Sequence, residues 1–583
     1  MGKFFSNKDI AKLFREISAS YAAKGEDRFK IIAYDNAATS VEHATSELKD
    51  LWEDGKLDTV PGLGKSIRGH LDELFKTGKV KHFEDVKKDL PQGMFDLLEV
   101  GGLGPKSAYK LAKELKIKNV DELENAAKSG KIGNLPGFGK KSEAEILTAA
   151  SEVKGRGNIS RYLLTDAFPV AERILSHLRN HKDCERAEPL GSLRRMVATV
   201  GDIDIAVASK NPKAIVDHFK KFREISRVLE AGPRKASALL QNGIRLDLMV
   251  QPANAFGALL QHFTGSKNHN IHLREDAIKN GMSVSDYGIK VGKKLHEFAT
   301  EEAFYKFLKM DYIIPEMRED TGEIEAALGH KLPEVLDIRD IKGDIHLHSS
   351  YPIEPSHDLG KDSFEQIIKR AKELAYEYVG LSDHSPGVST HTKAQIIDLI
   401  KKRSHKIEQL KSSNIEFRIL NLLEIDILTD GTLSVPEEGL KILDGAIAGI
   451  HSSHHHDKKT ITKRMMTAIN SPYVQVISHP TGRLLNQRES YEADWTKIFE
   501  ACKKTQTILE INAYPNRLDL PDTLVREAIN VGVKLIINTD SHKLEHMDNM
   551  KYGVSVARRG WAKPKDIINT LPWANFRKYF NVT

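Results

Sequence analysis

The sequence predicts a multidomain α/β protein with helical N-terminal domains, a mixed sheet in the middle and a distorted barrel of alternating strands and helices at the C-terminus. Three observations support this fold class. A Gly-hydrophobe-Gly turn occurs three times within residues 1–145, acidic residues lie in two alternating segments between 200 and 250, and histidines and acids follow successive apolar runs after 340. The 583 residues are enough for roughly three to five domains of about 100–200 residues each.

The composition is typical of a globular protein in a reducing compartment. The chain has 87 basic and 81 acidic residues, and the resulting net charge of +6 permits nucleic-acid binding without requiring it. Its two cysteines, Cys184 and Cys502, lie far apart in sequence and in no metal-ligand spacing, which disfavours a disulfide framework and a structural cysteine-zinc site. No apolar run approaches the ~18 residues of a membrane span, and the N-terminus lacks a signal peptide. We therefore expect a cytoplasmic monomer without membrane contact.

The repeated turn near the N-terminus predicts contacts to a DNA backbone. Each copy precedes a helix-forming stretch, so that amides at the helix start and a nearby lysine can approach a phosphate. Three copies of this helix-hairpin-helix pattern favour binding that does not depend on base sequence. The residues that would make these contacts are Gly62, Gly64, Lys65, Gly102, Gly104, Lys106, Gly137, Gly139 and Lys140.

Two carboxylates lie two residues apart in the alternating segment 200–207. Because side chains alternate along a strand, Asp202 and Asp204 leave one face while Ile203 and Ile205 leave the other. A third acid, Asp247, lies in another alternating segment, and a neighbouring strand could place it beside this pair. Three carboxylates suit two divalent cations, which in phosphoryl transfer activate the attacking hydroxyl and neutralise the triphosphate. On spacing alone, solvated acids at a strand edge are the alternative.

The order of these motifs resembles the family X DNA polymerases, of which DNA polymerase beta is a member. The resemblance covers about residues 1–320 and rests on Gly191-Ser192-Leu193-Arg194-Arg195, Gly201-Asp202-Ile203-Asp204, Asp247 and Phe263-Thr264-Gly265-Ser266. It implies a nucleotidyltransferase palm and a thumb, Mg²⁺ or Mn²⁺ on catalytic Asp202, Asp204 and Asp247, and gapped or primer-template DNA and deoxynucleoside triphosphates as partners. The nucleotide-binding residues that it implies are Gly191, Ser192, Arg195, Gly201, His262, Phe263, Gly265, Asn270 and Arg274.

Three positions depart from that family's pattern. Met196 replaces a common glycine after the arginine pair, which implies a loop of different shape or less freedom over the phosphates. His262 replaces a common tyrosine, so exclusion of ribonucleotides is expected to differ. His70 falls where beta-type enzymes carry the Schiff-base lysine of their lyase, and because an imidazole forms no such imine, we expect little lyase activity of that kind.

Potential metal ligands are dense after residue 340. His346-Leu347-His348 and Asp540-Ser541-His542 each place two such side chains on one face of a strand-like segment. Between them, apolar runs are followed by His384, Glu424, His451 and His479. Because helix-like stretches separate these runs, the pattern predicts ligands at successive strand ends, where a barrel collects its site.

These histidine motifs resemble the PHP (polymerase and histidinol phosphatase) domain, a distorted (β/α)7 barrel that holds two to three metal ions for phosphoester hydrolysis. The resemblance covers about residues 341–583. It implies three ion sites, of which the first is His346, His348, Glu424 and Asp540, the second is Glu424 with His451 and His479, and the third includes His384 and His542. Imidazole and carboxylate ligands suit Mn²⁺ or Zn²⁺. The family's ninth ligand position falls on Ile353, which Glu354, His357 or Asp358 could replace.

Both resemblances in this order are those of bacterial and archaeal family X polymerases. They imply gap filling in DNA repair with a 3′–5′ exonuclease in the PHP domain, to which an abasic-site endonuclease or a 3′-phosphatase activity could be added. The predicted domains are 1–85 and 86–155 (helix-hairpin-helix), 156–252 (palm), 253–320 (thumb), 321–340 (linker) and 341–583 (PHP). Two alternatives are a DNA-tethered phosphoesterase with a weak or inactive polymerase site, suggested by Met196 and His262, and a non-enzymatic DNA-end scaffold, suggested by the three hairpins.

Overall fold

The computed structural model describes residues 5, 7–42, 48–53, 55, 57–60, 62–98, 100, 103–155 and 161–581. The chain divides into two compact units, Met1–Ser160 and Arg161–Thr583. Within the described residues, no helix combines the length and the apolar character needed to cross a membrane.

The described part of the N-terminal unit is helical and has two apolar cores. One core is built from residues between Ile10 and Val86 and the other chiefly from residues between Met94 and Ala150. The predicted turns lead into helices, since Gly64 and Gly104 are the residues that cap two helix N-termini. The helices are α1 Asn7–Lys24, α2 Arg28–Glu42, α3 Leu48–Glu53, α4 Lys65–Thr77, α5 Lys81–Lys87, α6 Gly93–Leu97, α7 Pro105–Glu114, α8 Val120–Lys128 and α9 Lys140–Gly155.

A mixed sheet forms the first part of the second unit, as the sequence predicted. Its strand order is β2-β4-β7-β6-β5, with β4 and β7 parallel and the other neighbours antiparallel. Alternating apolar residues of these strands pack against two helices, and the polar residues between them face the opposite side. The elements are β1 Tyr162–Leu163, α10 Leu164–Arg179, β2 Arg186–Pro189, α11 Gly191–Arg194, β3 Thr199–Val200, β4 Ile203–Ala208, α12 Pro212–Phe219, β5 Ile225–Ala231, β6 Lys235–Leu240 and β7 Arg245–Gln251.

Two helices and a small antiparallel sheet follow the mixed sheet. A buried ion-pair network ties this region to the α11 turn, because Glu301 accepts bonds of 2.6 Å from both Arg194 and Arg318. Burial alone would raise the pKa of Glu301, but the two guanidinium groups lower it to about 2. The elements are α13 Phe256–Thr264, α14 Lys267–Lys279, β8 Met282–Ser285, β9 Gly288–Val291, β10 Lys294–His296, α15 Glu301–Phe307 and α16 Glu323–Leu328.

The C-terminal region is a parallel barrel in which seven described strands follow one another in sequence order from β11 to β17. A bridge between Leu347 and Ser541 joins the two edge strands and nearly closes it, which confirms the predicted barrel. Its elements are β11 Gly343–Asp344, α17 Phe364–Glu373, β12 Tyr378–Leu381, α18 Lys393–Ser413, β13 Arg418–Asp426, α19 Glu437–Leu440, β14 Gly445–Gly449, α20 Lys458–Ile469, β15 Val474–Ile477, α21 Trp495–Thr505, β16 Ile508–Asn512, α22 Asp522–Val531, β17 Leu535–Asn538, α23 Met550–Arg559 and α24 Trp573–Phe576.

The barrel and the mixed sheet belong to one packed body. Their buried apolar residues form a single cluster, and the ring of Phe168 on α10 meets that of Tyr552 on α23 edge to face, with centroids 6.1 Å apart. On the same interface Arg558 pairs with Glu316 at 3.2 Å. These contacts pack the barrel against the regions that precede it within the second unit.

Candidate active sites

The three acids of the mixed sheet lie together. The parallel pairing of β4 with β7 places Asp204 directly opposite Asp247, and Asp202 lies just before β4. Ligand oxygens of all three lie within 4.8 Å of one another. Burial raises the pKa of Asp204 to about 7, with further contributions from the negative charges of Asp202 and Asp247. Three carboxylates that resist joint ionisation fit divalent cations, which would remove their repulsion.

The α11 turn lies against these acids and needs glycine at its first position. Gly191 has a φ of +59°, and a Cβ there would lie 2.9 Å from an Asp204 carboxylate oxygen. Met196 has a φ of +53°, so this side chain occupies the left-handed conformation that glycine adopts readily. The loop therefore retains a glycine-like backbone and has less freedom, which is one of the two effects expected of Met196. Ser192 and Gly201 lie half-buried beside this turn.

Arg195 connects the α11 turn to the motif after α13. Its Nη1 donates to the Thr264 carbonyl at 2.5 Å and would lie 3.1 Å from a Cβ on Gly265. Its Nε donates to Glu319 at 2.8 Å, and Glu319 also accepts a bond of 2.9 Å from Arg559 of the barrel. The predicted triphosphate ligand is thus paired with an acid that the barrel holds in place.

The other predicted nucleotide residues form a second group. Asn270 donates to the His262 carbonyl at 2.7 Å, and Arg274 Nη2 lies 3.1 Å from His262 Nδ1. Burial and the charge of Arg274 lower the pKa of His262, which favours a neutral ring. Lys235 lies 5.6 Å from the centre of the Phe263 ring. The structure therefore brings the predicted nucleotide residues to two adjoining groups near the acids.

The predicted DNA-binding turns are exposed where they are described. Lys65, Lys106 and Lys140 are exposed at the starts of α4, α7 and α9. Gly62 and Gly137 have φ values of +79° and +87°, which glycine adopts without strain. Gly64, Gly104 and Gly139 directly precede the helices, whereas Gly102 lies outside the described residues.

His70 packs within a group of aromatic side chains, and its imidazole cannot take the part of a Schiff-base lysine. Its Nδ1 bonds the Tyr34 hydroxyl at 2.8 Å, and its ring stacks on His82 with centroids 4.7 Å apart. Burial lowers the pKa of His70. This geometry gives the ring no amine chemistry, so little Schiff-base lyase activity stays our prediction.

The barrel places its predicted ligands at the carboxyl ends of the strands. Glu424 on β13 is their centre, with a His479 nitrogen at 2.9 Å and a His346 nitrogen at 3.1 Å. His384 and His451 nitrogens lie 3.1 and 3.3 Å from the same carboxylate. Asp540 lies 3.2 Å from His348, so the four residues implied for the first ion form one group. His348, His384 and His542 form another.

Unpaired ring nitrogens show that this cluster fits metal ions. Nitrogens of His346, His348, His384, His479 and His542 are buried without a hydrogen-bond partner among the described residues. Several of these nitrogens lie close to carboxylates but do not align for a hydrogen bond, which leaves them free to bind a metal ion. Burial lowers the pKa of His479 to about 4, which keeps that imidazole neutral, as a ligand must be.

The structure distinguishes among the candidates for the ninth ligand. Ile353 is fully buried in the apolar core. Glu354 pairs with His391 at 2.9 Å, and His357 donates to the Asp426 carboxylate at 3.0 Å. Asp358 lies 3.4 Å from His542 and 3.8 Å from His384. Of the three candidates, Asp358 is therefore the one that lies beside the predicted third ion site at His384 and His542.

Two buried acids behind the ligands were not predicted. Glu510 accepts a bond of 2.7 Å at His346 Nδ1 and one of 2.8 Å from the His479 amide. Asp426 bonds His451 Nδ1 at 2.6 Å. Such carboxylates fix the orientation of a ligating imidazole. Asp426 could have been found from the alternation of β13, whereas Glu510 lies within the otherwise apolar start of β16 with no nearby histidine in sequence.

Comparisons with known proteins agree with both regions. The DNA polymerase beta thumb family matches residues 259–319, a helix-hairpin-helix domain matches 5–80, and a SAM-like helix-hairpin-helix tandem matches 95–152. DNA polymerase lambda of Arabidopsis thaliana is 24% identical over 54% of this chain and 62% of its own length. A probable phosphatase of Thermoanaerobacter sp. (strain X514) is 25% identical over 39% of this chain and 89% of its own length.

One relative matches this chain over nearly its whole length. The DNA polymerase/3'-5' exonuclease PolX of Bacillus subtilis (strain 168) is 34% identical over 566 residues, which are 96% of this chain and 97% of that protein. Identity of this extent, together with the thumb and hairpin matches, shows that this chain belongs to the family X DNA polymerases, in the group that carries a C-terminal PHP domain.

Proposed function

We propose that this chain fills short gaps in DNA by template-directed nucleotidyl transfer and removes nucleotides from 3′ ends in its PHP domain. The convergence of Asp202, Asp204 and Asp247 carries the first activity. The ligand cluster around Glu424 supports the second. We expect a cytoplasmic monomer with Mg²⁺ or Mn²⁺ in the palm and Mn²⁺ or Zn²⁺ in the PHP domain.

The palm residues have separate tasks in this proposal. The three acids hold the cations, which supply activation of the primer hydroxyl and charge neutralisation at the triphosphate. The α11 turn offers Ser192 and the Gly191 backbone to the phosphates, and Arg195 offers a guanidinium. Arg195 must exchange its bond to Glu319 for a phosphate oxygen when a nucleotide enters.

The test of the proposal is one gapped duplex in two reactions. A 5′-phosphorylated one-nucleotide gap is incubated with Mn²⁺ and the full chain, once with deoxynucleotides and once without. We expect primer extension by one nucleotide in the first reaction and shortening from the 3′ end in the second. A primer that stays unchanged in both would refute both activities and favour a DNA-end scaffold.

A nuclease with a weak polymerase site is the second candidate. The observation that favours it is that Arg195, the predicted triphosphate ligand, is already bonded to Glu319. Glu319 in turn accepts a bond from Arg559. This candidate predicts shortening of the primer without nucleotides and no extension at any Mn²⁺ concentration. The same two reactions therefore separate it from the bifunctional enzyme.

The hairpin lysines give a prediction that salt dependence can test. Each lysine that neutralises one phosphate contributes about 0.9 to the slope of log binding constant against log salt concentration. We expect the combined change of Lys65, Lys106 and Lys140 to glutamine to reduce that slope by about 2.7. Fluorescence anisotropy with two duplexes of unrelated sequence measures it.

The matched control for this salt experiment changes lysines of the same unit. Lys79 lies exposed between α4 and α5, and Lys113 and Lys128 lie exposed near the C-terminal ends of α7 and α8. Their combined change to glutamine should leave the slope within about 0.9 of wild type. An equal loss of slope in both triple variants would show that the hairpins have no special part in DNA binding.

Asp358 gives a prediction about the third ion group. Asp358→Asn keeps the volume and removes the charge beside His384 and His542. We expect the exonuclease rate at limiting Mn²⁺ to fall by about 10- to 100-fold, with recovery as the Mn²⁺ concentration rises. Glu354→Gln is the control, because Glu354 pairs with His391 instead. A stronger metal requirement in Glu354→Gln than in Asp358→Asn would contradict the assignment.

A further inference from the structure

The turn 484–488 reaches from the PHP cavity to the palm. The cavity, of about 280 Å³, is lined on one side by Leu484 and Arg488, which pair across the turn 484–488. At the tip of this turn, Asn486 donates to the backbone carbonyl of Arg161 at 2.9 Å. Arg161 directly precedes β1 of the palm, which pairs with β3. The turn therefore contacts the palm with its tip and faces the PHP site with its base.

Arg161 lies on the palm side close to the catalytic acids. Its Nε and Nη2 bond Thr199 of β3, and its Nη1 lies beside Gly201. The charge of Asp202 acts on this guanidinium, and Arg161 as a whole residue is exposed. An exposed arginine beside an acidic metal site is placed to meet a phosphate.

Two further guanidinium groups continue from Arg161 into the PHP site. Arg488 lines the cavity and is held by a bond of 2.9 Å from its Nε to the Gly482 carbonyl. Arg517 lines the same cavity, and its Nε lies 3.8 Å from the Asp540 carboxylate. Leu485 donates to the Asn516 carbonyl at 2.7 Å, which fixes the turn against the segment that bears Arg517.

The distance from Asp202 of the palm to Arg488 at the PHP cavity is short enough for a DNA strand end to span. Asp202 is two residues from Val200, which pairs with Tyr162 next to Arg161, and Arg488 is two residues from Asn486. At about 3.6 Å or less per residue and about 5 Å between paired strands, the path is shorter than roughly 35 Å. Because the palm and the barrel form one compact body, no domain movement is needed to define this path.

We propose that the exposed surface of Arg161, the turn 484–488 and Arg517 is the track along which a single-stranded 3′ end passes from the palm to the PHP site without leaving the protein. The three guanidinium groups contact phosphates along the strand, and the exposed tip of the turn presents the polar side chains of Asn486 and Gln487 to it. This inference rests on the proposed polymerase and exonuclease activities. It identifies the partner of this surface as an unpaired DNA strand.

A trap experiment tests the track with the full chain. The enzyme is bound to a primer-template with a mismatched 3′ end, and Mn²⁺ is added together with excess heparin, so that only DNA that never dissociates is cleaved. The rate on a free single-stranded oligonucleotide without heparin is measured in parallel. The informative quantity is the ratio of the trapped to the free rate.

Two variants should lower that ratio. We expect Arg161→Gln to lower it about tenfold, the loss typical of one charge-assisted contact to phosphate. Asn486→Asp should lower it at least as much, because it adds a negative charge at the tip, and aspartate tolerates the φ of +62° found there. Arg418→Gln is the matched control, since Arg418 is exposed at the opposite end of the barrel strands and should leave the ratio at the wild-type value.

The outcomes are distinguishable. A ratio within twofold of wild type in both track variants would overturn the proposal, and so would a wild-type enzyme that cleaves nothing in heparin. If wild type fails to cleave even the free oligonucleotide, the proposed exonuclease is wrong and the track is overturned with it. A melting temperature within a few degrees of wild type shows that each variant is folded.

Discussion

Asp204→Asn should abolish gap filling and leave the chain folded. Asp204 lies between the other two acids, paired in register with Asp247 and adjacent to the α11 turn. Asparagine preserves the volume but cannot supply the negative charge that a divalent ion needs. Substitution of a residue behind a metal ligand typically costs 10- to 100-fold, so loss of a shared ligand should cost about 10³-fold or more. Single-nucleotide extension of a gapped duplex measures this.

Stability provides the folding control for Asp204→Asn. The folded-state pKa of Asp204 is raised from 3.8 to about 7. A carboxyl group with a raised pKa destabilises the metal-free fold increasingly as pH rises from about 4 to 7, because ionisation favours the unfolded chain. Without metal at pH 8, the melting temperature of Asp204→Asn should therefore equal or exceed that of wild type.

Asp217→Asn is the matched control for Asp204→Asn. Asp217→Asn changes an exposed acid of α12 that pairs only with Lys220 among the contacts described, and extension should stay within about twofold of wild type. Full extension by Asp204→Asn would refute the palm assignment. A fall in melting temperature together with loss of extension would attribute the loss to unfolding.

The sequence predicted the palm acids because strand alternation is a local property. Asp202 and Asp204 share a face by spacing alone, and Asp247 needed only one assumption about a neighbouring strand, which the β4–β7 register confirms. The barrel was predictable for a similar reason, since each ligand follows its own apolar run. Both the alternation of a strand and the end of an apolar run can be recognised from a few consecutive residues of the sequence.

Contacts between distant segments could not be predicted in this way. Glu319 and Arg559 lie 124 and 364 residues from Arg195, and nothing near them in sequence indicates that they meet. Glu510 depends on the order of the barrel strands, which places it behind His346. Asp358 was one of three candidates because loop conformation, which has no simple period, decides which side chain reaches the third group.

At Met196 the backbone adopts a conformation typical of glycine although the residue carries a large side chain. Its identity suggested a changed or less free loop, and the structure retains the left-handed backbone with a larger side chain. A non-glycine residue in that region costs of the order of 1 kcal/mol or more. The loop is therefore shaped by its surroundings, which include the bond from Arg559 to the Arg195 carbonyl at 3.0 Å.

Glu424→Gln should abolish the exonuclease and spare synthesis. Glu424 is 1% exposed and lies within 3.5 Å of ring nitrogens from His346, His348, His384, His451 and His479. Glutamine keeps the shape but removes the one carboxylate that the first two ion groups share. We expect degradation of a single-stranded oligonucleotide to fall by about 10³-fold or more, for the same reason as in the palm. Extension of a gapped duplex should stay within about twofold of wild type.

Metal content separates a lost ligand from a lost fold in Glu424→Gln. Equilibrium dialysis against Mn²⁺ should show at least one ion fewer per chain than in wild type, because two groups depend on this carboxylate. Glu408→Gln, an exposed acid on α18 that pairs with Lys411, should bind as many ions as wild type and retain the nuclease. An unchanged ion count with full nuclease activity in Glu424→Gln would show that the cluster is not the hydrolytic site. Loss of extension as well would instead indicate that the barrel supports the palm, to which α23 ties it through Arg559.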